Sequence, residues 1–215
     1  WLGAAPEVLP LAVNYMRIIF SGMIFMFLFI IFSALLRGSG NSITPMKLMF
    51  GSTVLNIILD PLLIFGVGII PPLGVSGAAI ATITSRAVVA LIGVYYLWQG
   101  RYGIKLKLES LKPNWNLIKE IIKIGTPSAI EQSTRGLGMT AIMSIVANFG
   151  TLTVAAFGIC TRLLSLVIMP SRGFSTATTT MVGQNLGANK IKRAEKSTYI
   201  SVGINFILLT VIGLI

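Results

Sequence analysis

The run Leu55-Asn56-Ile57-Ile58-Leu59-Asp60-Pro61 decides how this chain is read. It lies inside a long apolar stretch, and Asp60 is the sole aspartate of the sequence. On a helix, Asn56 and Asp60 are four residues apart and share one face, a turn apart. Pro61 has no N–H, and its ring crowds the carbonyl of Ile57. A carboxylate, an amide and a freed backbone carbonyl are thereby gathered in an apolar setting. Such groups are expensive there and point to a functional role.

Composition identifies that setting. Of 215 residues, 54% are hydrophobic and 11% charged, with mean hydropathy +0.87. A soluble domain has about 25% charged residues and covers its surface with them; this chain cannot. It reads as an all-α membrane protein with about six transmembrane helices. Six apolar runs lie near 12–36, 47–68, 75–98, 126–149, 152–181 and 197–215, each close to the ~20 residues of a bilayer crossing. They are continuous and lack period-two alternation, which favours helices over a barrel. The sequence opens on Trp1 and ends within an apolar run at Ile215, so it reads as an internal piece of a longer chain with its last span cut short.

A formal net charge of +11 could indicate nucleic acid, and the positions of the charges decide against it. Arg37 and Lys47 flank one loop. Arg101, Lys105, Lys107, Lys112, Lys119 and Lys123 occupy a second, and Lys190, Lys192, Arg193 and Lys196 a third. The intervening links near Gly68–Ser76 and Asn148–Thr153 carry no Lys or Arg. Basic loops alternating with uncharged ones are the positive-inside pattern, which places the three basic loops in the cytoplasm, and the expected location is the plasma membrane. Cys160 lies in an apolar run and is expected to be a small buried core residue.

Taken in order, Arg37-Gly38-Ser39-Gly40-Asn41-Ser42 reads as a tight cytoplasmic turn. Thr44 is expected as N-cap and Pro45 as the first residue of the second span. The lysine and flanking strand of a phosphate-binding loop are missing. The second and third spans are joined by a short link containing Pro71, Pro72 and Gly74 and should run antiparallel. Counting inward from it, Asp60 and Thr82 lie at similar depth, roughly 10–12 Å at 1.5 Å per residue. Arg86 is one turn deeper on the face of Thr82, either a partner for a carboxylate or a helix-interface residue.

Residues 99–124 form a polar connector. Its later part places Trp115, Leu117, Ile118, Ile121, Ile122 and Ile124 on one side of a helix and Lys119, Glu120 and Lys123 on the other. That pattern fits an amphipathic helix in the cytoplasmic interface. In the fourth span, Glu131 and Arg135 stand in the acid-first order of an ion pair on one helix. Gln132 faces elsewhere and is a candidate cavity residue. Arg162 sits deep enough in the fifth span to need a polar cavity or a partner, whereas Arg17 and Arg172 can snorkel. The glycines of Gly183-Gln184-Asn185-Leu186-Gly187 are expected to end that helix.

These features together resemble the multidrug and toxic compound extrusion (MATE) family over essentially the whole chain. The resemblance is carried by Leu36-Arg37-Gly38-Ser39-Gly40-Asn41, by Asn56 with Asp60-Pro61, and by Gly77-Ala78-Ala79 with Ala81-Thr82. Gly125-Thr126-Pro127 and Gly183-Gln184-Asn185-Leu186-Gly187-Ala188 complete it. It implies a twelve-helix transporter of two six-helix lobes around a central cavity, monomeric at full length, exporting small organic, often cationic, compounds by antiport with H⁺ or Na⁺. No cofactor beyond that coupling ion is implied. Residues 1–98 would be helices four to six of the first lobe, 99–124 the inter-lobe connector, and 125–215 helices seven to nine.

The resemblance further implies a cation site, with Na⁺ as one occupant, at Asp60, Asn56 and Thr82. An aspartate of the missing first helix would join it, and Pro61 would be a bending point. Arg86, Gln132 and Arg162 are the candidate cavity or substrate-lining residues. The glutamate that some members carry on helix seven falls nearer Arg135 than Glu131. A lipid-linked oligosaccharide flippase of the same superfamily is the alternative, since Arg86, Arg135 and Arg162 would suit a cationic cavity. An enzyme is disfavoured: the chain has no His for a metal or triad, and one Asp cannot form an aspartyl dyad.

Overall fold

Backbone N–H and C=O groups in an apolar medium must be satisfied within their own segment, which a helix achieves. The computed structural model describes residues 9–68, 71–106 and 113–214, and its regular elements are all α-helices. They are α1 (Leu9–Ser21), α2 (Met23–Gly38), α3 (Ile43–Phe65), α4 (Gly74–Gln99), α5 (Trp115–Ala147), α6 (Thr151–Gly187) and α7 (Ile191–Gly213). Lys107 and Lys112 of the basic connector lie outside the described residues. Among those described, α3, α4, α6 and α7 are each long and apolar enough to cross a membrane. The α1–α2 pair meets the same test together, bent by 48°. Helix α5 has the length, but the polar run from Thr126 to Arg135 interrupts its apolar residues.

The helices gather into two compact units, Trp1–Lys107 with Gly183–Asn189, and Leu108–Val182 with Lys190–Ile215. In the first, α4 is central and packs against α1, α2 and α3. Its buried positions are mostly small (Gly77, Ala79, Ala81, Ser85, Ala90 and Gly93). Small side chains let helix backbones approach where lipid supplies no hydrophobic drive for association. Phe32 of α2 fills the space left at Gly93, where a Cβ would lie 2.8 Å from the ring carbon Cγ. Phe29, Phe32 and Leu36 complete this core with Val89, Ala90 and Leu97. The C-terminal end of α6 also belongs to this unit: Gln184 Nε2 donates to the carbonyl of Gly38 at 3.2 Å.

The second unit is held along α6 and α7 by polar groups. Ser171 Oγ donates to Asn205 Oδ1 at 2.7 Å, Asn205 Nδ2 donates to the Ser201 carbonyl at 3.1 Å, and the Thr178 hydroxyl donates to Ser201 Oγ. Cys160 lies away from this seam and is exposed, not buried as its apolar surroundings predict.

Three local expectations change. The first apolar run is two helices broken at Gly22, where Ile83 of α4 fills the place of a side chain and a Cβ would lie 2.6 Å from Ile83 Cγ1. Helix α3 starts at Ile43 after the N-cap residue Ser42, not Thr44, and the side chain that caps it comes from Asn41, whose Oδ1 accepts from the Thr44 N–H at 3.0 Å. The amphipathic stretch before Pro127 is continuous with the fourth span as α5, capped by Asn114, whose Oδ1 accepts from the Asn116 N–H at 3.1 Å. Ending a helix leaves up to four carbonyls unsatisfied, whereas an internal proline removes one bond, so continuing is cheaper. Helix α6 runs through Gly183 and ends at Gly187, the second glycine of the stretch expected to stop it.

The Asn41 cap supports a stability prediction. Asn41→Ala in the complete protein should lower stability by about 1 kcal/mol, the usual worth of an N-cap. Ser42→Ala should change little, because the Ser42 side chain makes no cap bond. Thermal unfolding of the two variants in detergent checks the difference.

Candidate functional site

Helix α3 carries Ser52, Asn56 and Asp60 at intervals of four, one polar stripe on an otherwise apolar helix. Asn56 Nδ2 donates to Asp60 Oδ1 at 3.1 Å, so the amide and carboxylate expected to be neighbours are bonded. Both are half-buried. Helix α3 continues through Pro61 and ends four residues later at Phe65. Asp60 therefore lies close to the last turn, where the chain is about to leave the helix.

Two contacts fix how α4 lies against this stripe. The Leu73 N–H donates to the Leu63 carbonyl at 3.0 Å, and Gly77 packs so closely on Leu63 that a Cβ would lie 2.6 Å from its carbonyl carbon. Farther along, Ser52 Oγ donates to the Ser85 carbonyl at 3.0 Å. The helices are antiparallel, and the Leu63–Gly77 and Ser52–Ser85 contacts bracket Asn56 and Asp60 on α3 and Thr82 on α4. Thr82 lies one turn from both Ala78 and Ser85, on the side of α4 that meets α3. Its hydroxyl donates to the Ala78 carbonyl at 2.9 Å, leaving its oxygen lone pairs as acceptors. Asp60 Oδ2, the Asn56 amide oxygen and Thr82 Oγ1 are thus hard oxygen donors within the same bracketed stretch of a two-helix seam. That donor chemistry suits a proton or a small hard cation.

The remaining candidates do not converge on it in one cluster. Arg86 lies one turn beyond Thr82, half-buried, with Nη1 donating to Met49 Sδ at 2.6 Å. Gln132 on α5 and Arg162 on α6 belong to the second unit and are exposed without a hydrogen-bond or ion-pair partner among the described residues. Arg135 Nη2 meets Glu131 Oε1 at 2.8 Å, the mutual neutralisation that their spacing predicts. Sequence reasoning missed Ser52 and Ser85 as the pin between the helices. The four-residue spacing of Ser52 from Asn56 was the available signal. Ser85 Oγ and Ser33 Oγ, in residues only 1% and 4% exposed, lack hydrogen-bond partners among the described residues.

An all-helical chain with several apolar spans, and an aspartate–asparagine pair set within one, defines a multi-pass membrane protein with a polar site in its helical bundle. The MatE family model matches residues 1–62 and 127–215, and the chain belongs to that family. It is 32% identical over 210 residues to the probable multidrug resistance protein YoeA of Bacillus subtilis (strain 168), covering 96% of this chain and 45% of that protein. It is 32% identical over 208 residues to the multidrug export protein MepA of Staphylococcus aureus (strain NCTC 8325 / PS 47), with 96% and 45% covered. A solved structure described as the outward-facing conformation of a multidrug resistance MATE family transporter of the MOP superfamily superposes with a TM-score of 0.86 at 30% identity. The match covers 98% of this chain and 48% of that one. The chain thus spans about 45% of the length of these curated relatives.

Proposed function

We propose that the complete protein exports small organic compounds across the plasma membrane by antiport with H⁺ or Na⁺, and that Asp60, with Asn56 and Thr82, is the coupling-cation site. The observation that carries this reading is the intramembrane Asp60 carboxylate, bonded to Asn56 and bracketed in one stretch with Thr82. Multidrug resistance and export in the names of YoeA and MepA supply the substrate class. In this reading residues 1–98 form the second half of one lobe, 99–124 the inter-lobe connector, and 125–215 the first half of the other. The basic loops face the cytoplasm, and the complete protein works as a monomer.

Mechanistically, an empty Asp60 carries a charge that its apolar surroundings disfavour, so a cation arriving from outside is drawn to it. Once the charge is neutralised, α3 and α4 pack more tightly around Asp60 and Pro61, which shifts the lobe toward its other access state. Release of the cation inward restores the first state. The test is the complete protein in proteoliposomes with a fluorescent organic cation inside. Export should follow an imposed H⁺ or Na⁺ gradient and stop when the gradient is collapsed. Gradient-independent leakage would overturn the reading, and lipid-linked oligosaccharide flipping without organic-cation export would favour the flippase alternative.

A further inference from the structure

Arg86 stands midway along α4, where a cation is costly unless a partner neutralises it. In the structure it has only a thioether, Met49 Sδ, which is a weak acceptor, and no other hydrogen bond of its guanidinium forms among the described residues. The charged and phenolic groups on the elements around it are few. They are Tyr15 and Arg17 on α1, Arg37 on α2, Lys47 and Asp60 on α3, and Tyr95 and Tyr96 on α4 itself. Asp60 is the one acid among these described residues.

Geometry relates the two charges. Counting from the Leu63–Gly77 contact, Asp60 is level with Ile80 of α4, and counting from the Ser52–Ser85 bond it is level with Gly77, so Arg86 lies about 9–14 Å farther along the seam at 1.5 Å per residue. Side chains on a helix lean toward its N-terminus. Helix α4 starts at the Asp60 end of the seam, and the antiparallel α3 starts at the Arg86 end. The Cα–Cβ bonds of the two residues therefore tilt toward each other, while the guanidinium itself is turned to Met49, on the far side of Ser52 from Asp60. Arg86 reaches α3 at Met49, and Asp60 stands two turns along α3 from Ser52, whose hydroxyl bonds to the Ser85 carbonyl of α4.

We propose that Arg86 is the internal counter-charge of the coupling site: it pairs with Asp60 when the transported cation has left and is displaced to Met49 when the cation arrives. The proposal rests on the reading of Asp60 as the coupling site. Arg86 is then a positioning residue that sets how strongly the cation binds and how readily it leaves. The cation must displace a tethered guanidinium to bind, and the guanidinium returns to help expel it.

The test measures export by the complete protein as a function of coupling-cation concentration. Arg86→Met and Arg86→Gln should each lower the half-saturating cation concentration by about fivefold or more, a typical size for coupling between two sites. They should also lower maximal turnover, because release is no longer assisted. Arg86→Lys, which keeps the charge, should stay near the native values. In an Asp60→Asn background, Arg86→Met should leave cation-induced thermal stabilisation unchanged. A half-saturating concentration unmoved in both neutral variants, or equally moved in Arg86→Lys, would overturn the proposal while leaving the coupling role of Asp60 intact. Loss of that role would show separately, as coupled export surviving Asp60→Asn with Arg86 native.

Discussion

Asp60→Asn in the complete protein is expected to reduce the proposed cation-driven export to the level of empty liposomes, with the amount of protein in the membrane unchanged. The substitution keeps the size of the side chain and an oxygen that can still accept from Asn56 Nδ2, so the 3.1 Å contact within α3 survives. What disappears is the negative charge, and with it the capacity to take up and release a cation. Removing an intramembrane charge relieves a desolvation cost, so insertion should not suffer. Two neighbouring substitutions grade the effect. Asn56→Ala removes the group bonded to the carboxylate and should weaken coupling severely. Thr82→Ala should act more mildly, because it removes a neutral oxygen that has no bond to the carboxylate, its own O–H being given to the Ala78 carbonyl. Export rates in proteoliposomes, normalised to protein content, measure all three. Full export by Asp60→Asn would remove the basis of the coupling site.

The pairing of Asn56 with Asp60 was legible because it is local: a four-residue spacing on a helix needs no tertiary information. The membrane class was legible for a similar reason, since apolar run length follows directly from composition. The level of Thr82 could be counted from the short link at Pro71 and Pro72, but which side of α4 it faces could not. That depends on Gly77 seating against Leu63 and on Ser52 reaching the Ser85 carbonyl, contacts between distant parts of the sequence. Breaks were the least legible features. Gly22 interrupts the first run while Pro127 and Gly183 leave their helices intact, although proline and glycine are the usual helix-breaking signals. Local propensity weighs one residue, whereas an apolar medium charges for every carbonyl a broken helix exposes. At Gly22 the break coincides with close packing of Ile83, which no local pattern encodes.

Gly77→Ala is expected to be the most damaging single-methyl change in the first unit. A Cβ there would run into the Leu63 carbonyl, lying 2.6 Å from its carbon and 3.0 Å from the Ile64 nitrogen. Both obstacles are backbone, so neither can rotate aside, and the helices must separate. Overpacking of this kind costs about 1–3 kcal/mol, and Gly77→Val should cost more. The same methyl at Gly93 meets the Phe32 ring and at Gly22 the Ile83 side chain, which can shift, so those variants should lose less. Gly51 is an exposed residue inside α3 with nothing within 4 Å of an added Cβ. Gly51→Ala should therefore be neutral or stabilising by up to about 1 kcal/mol through helix propensity. Thermal unfolding in detergent should rank Gly77→Ala lowest and Gly51→Ala highest. Separating α3 from α4 at Gly77 also moves Thr82 away from Asp60, so Gly77→Ala should impair cation-coupled export even below its unfolding temperature, where Gly51→Ala does not. Equal unfolding temperatures for the two variants would mean that the Leu63–Gly77 contact does not hold the seam, and the level assigned to Thr82 would lose its support.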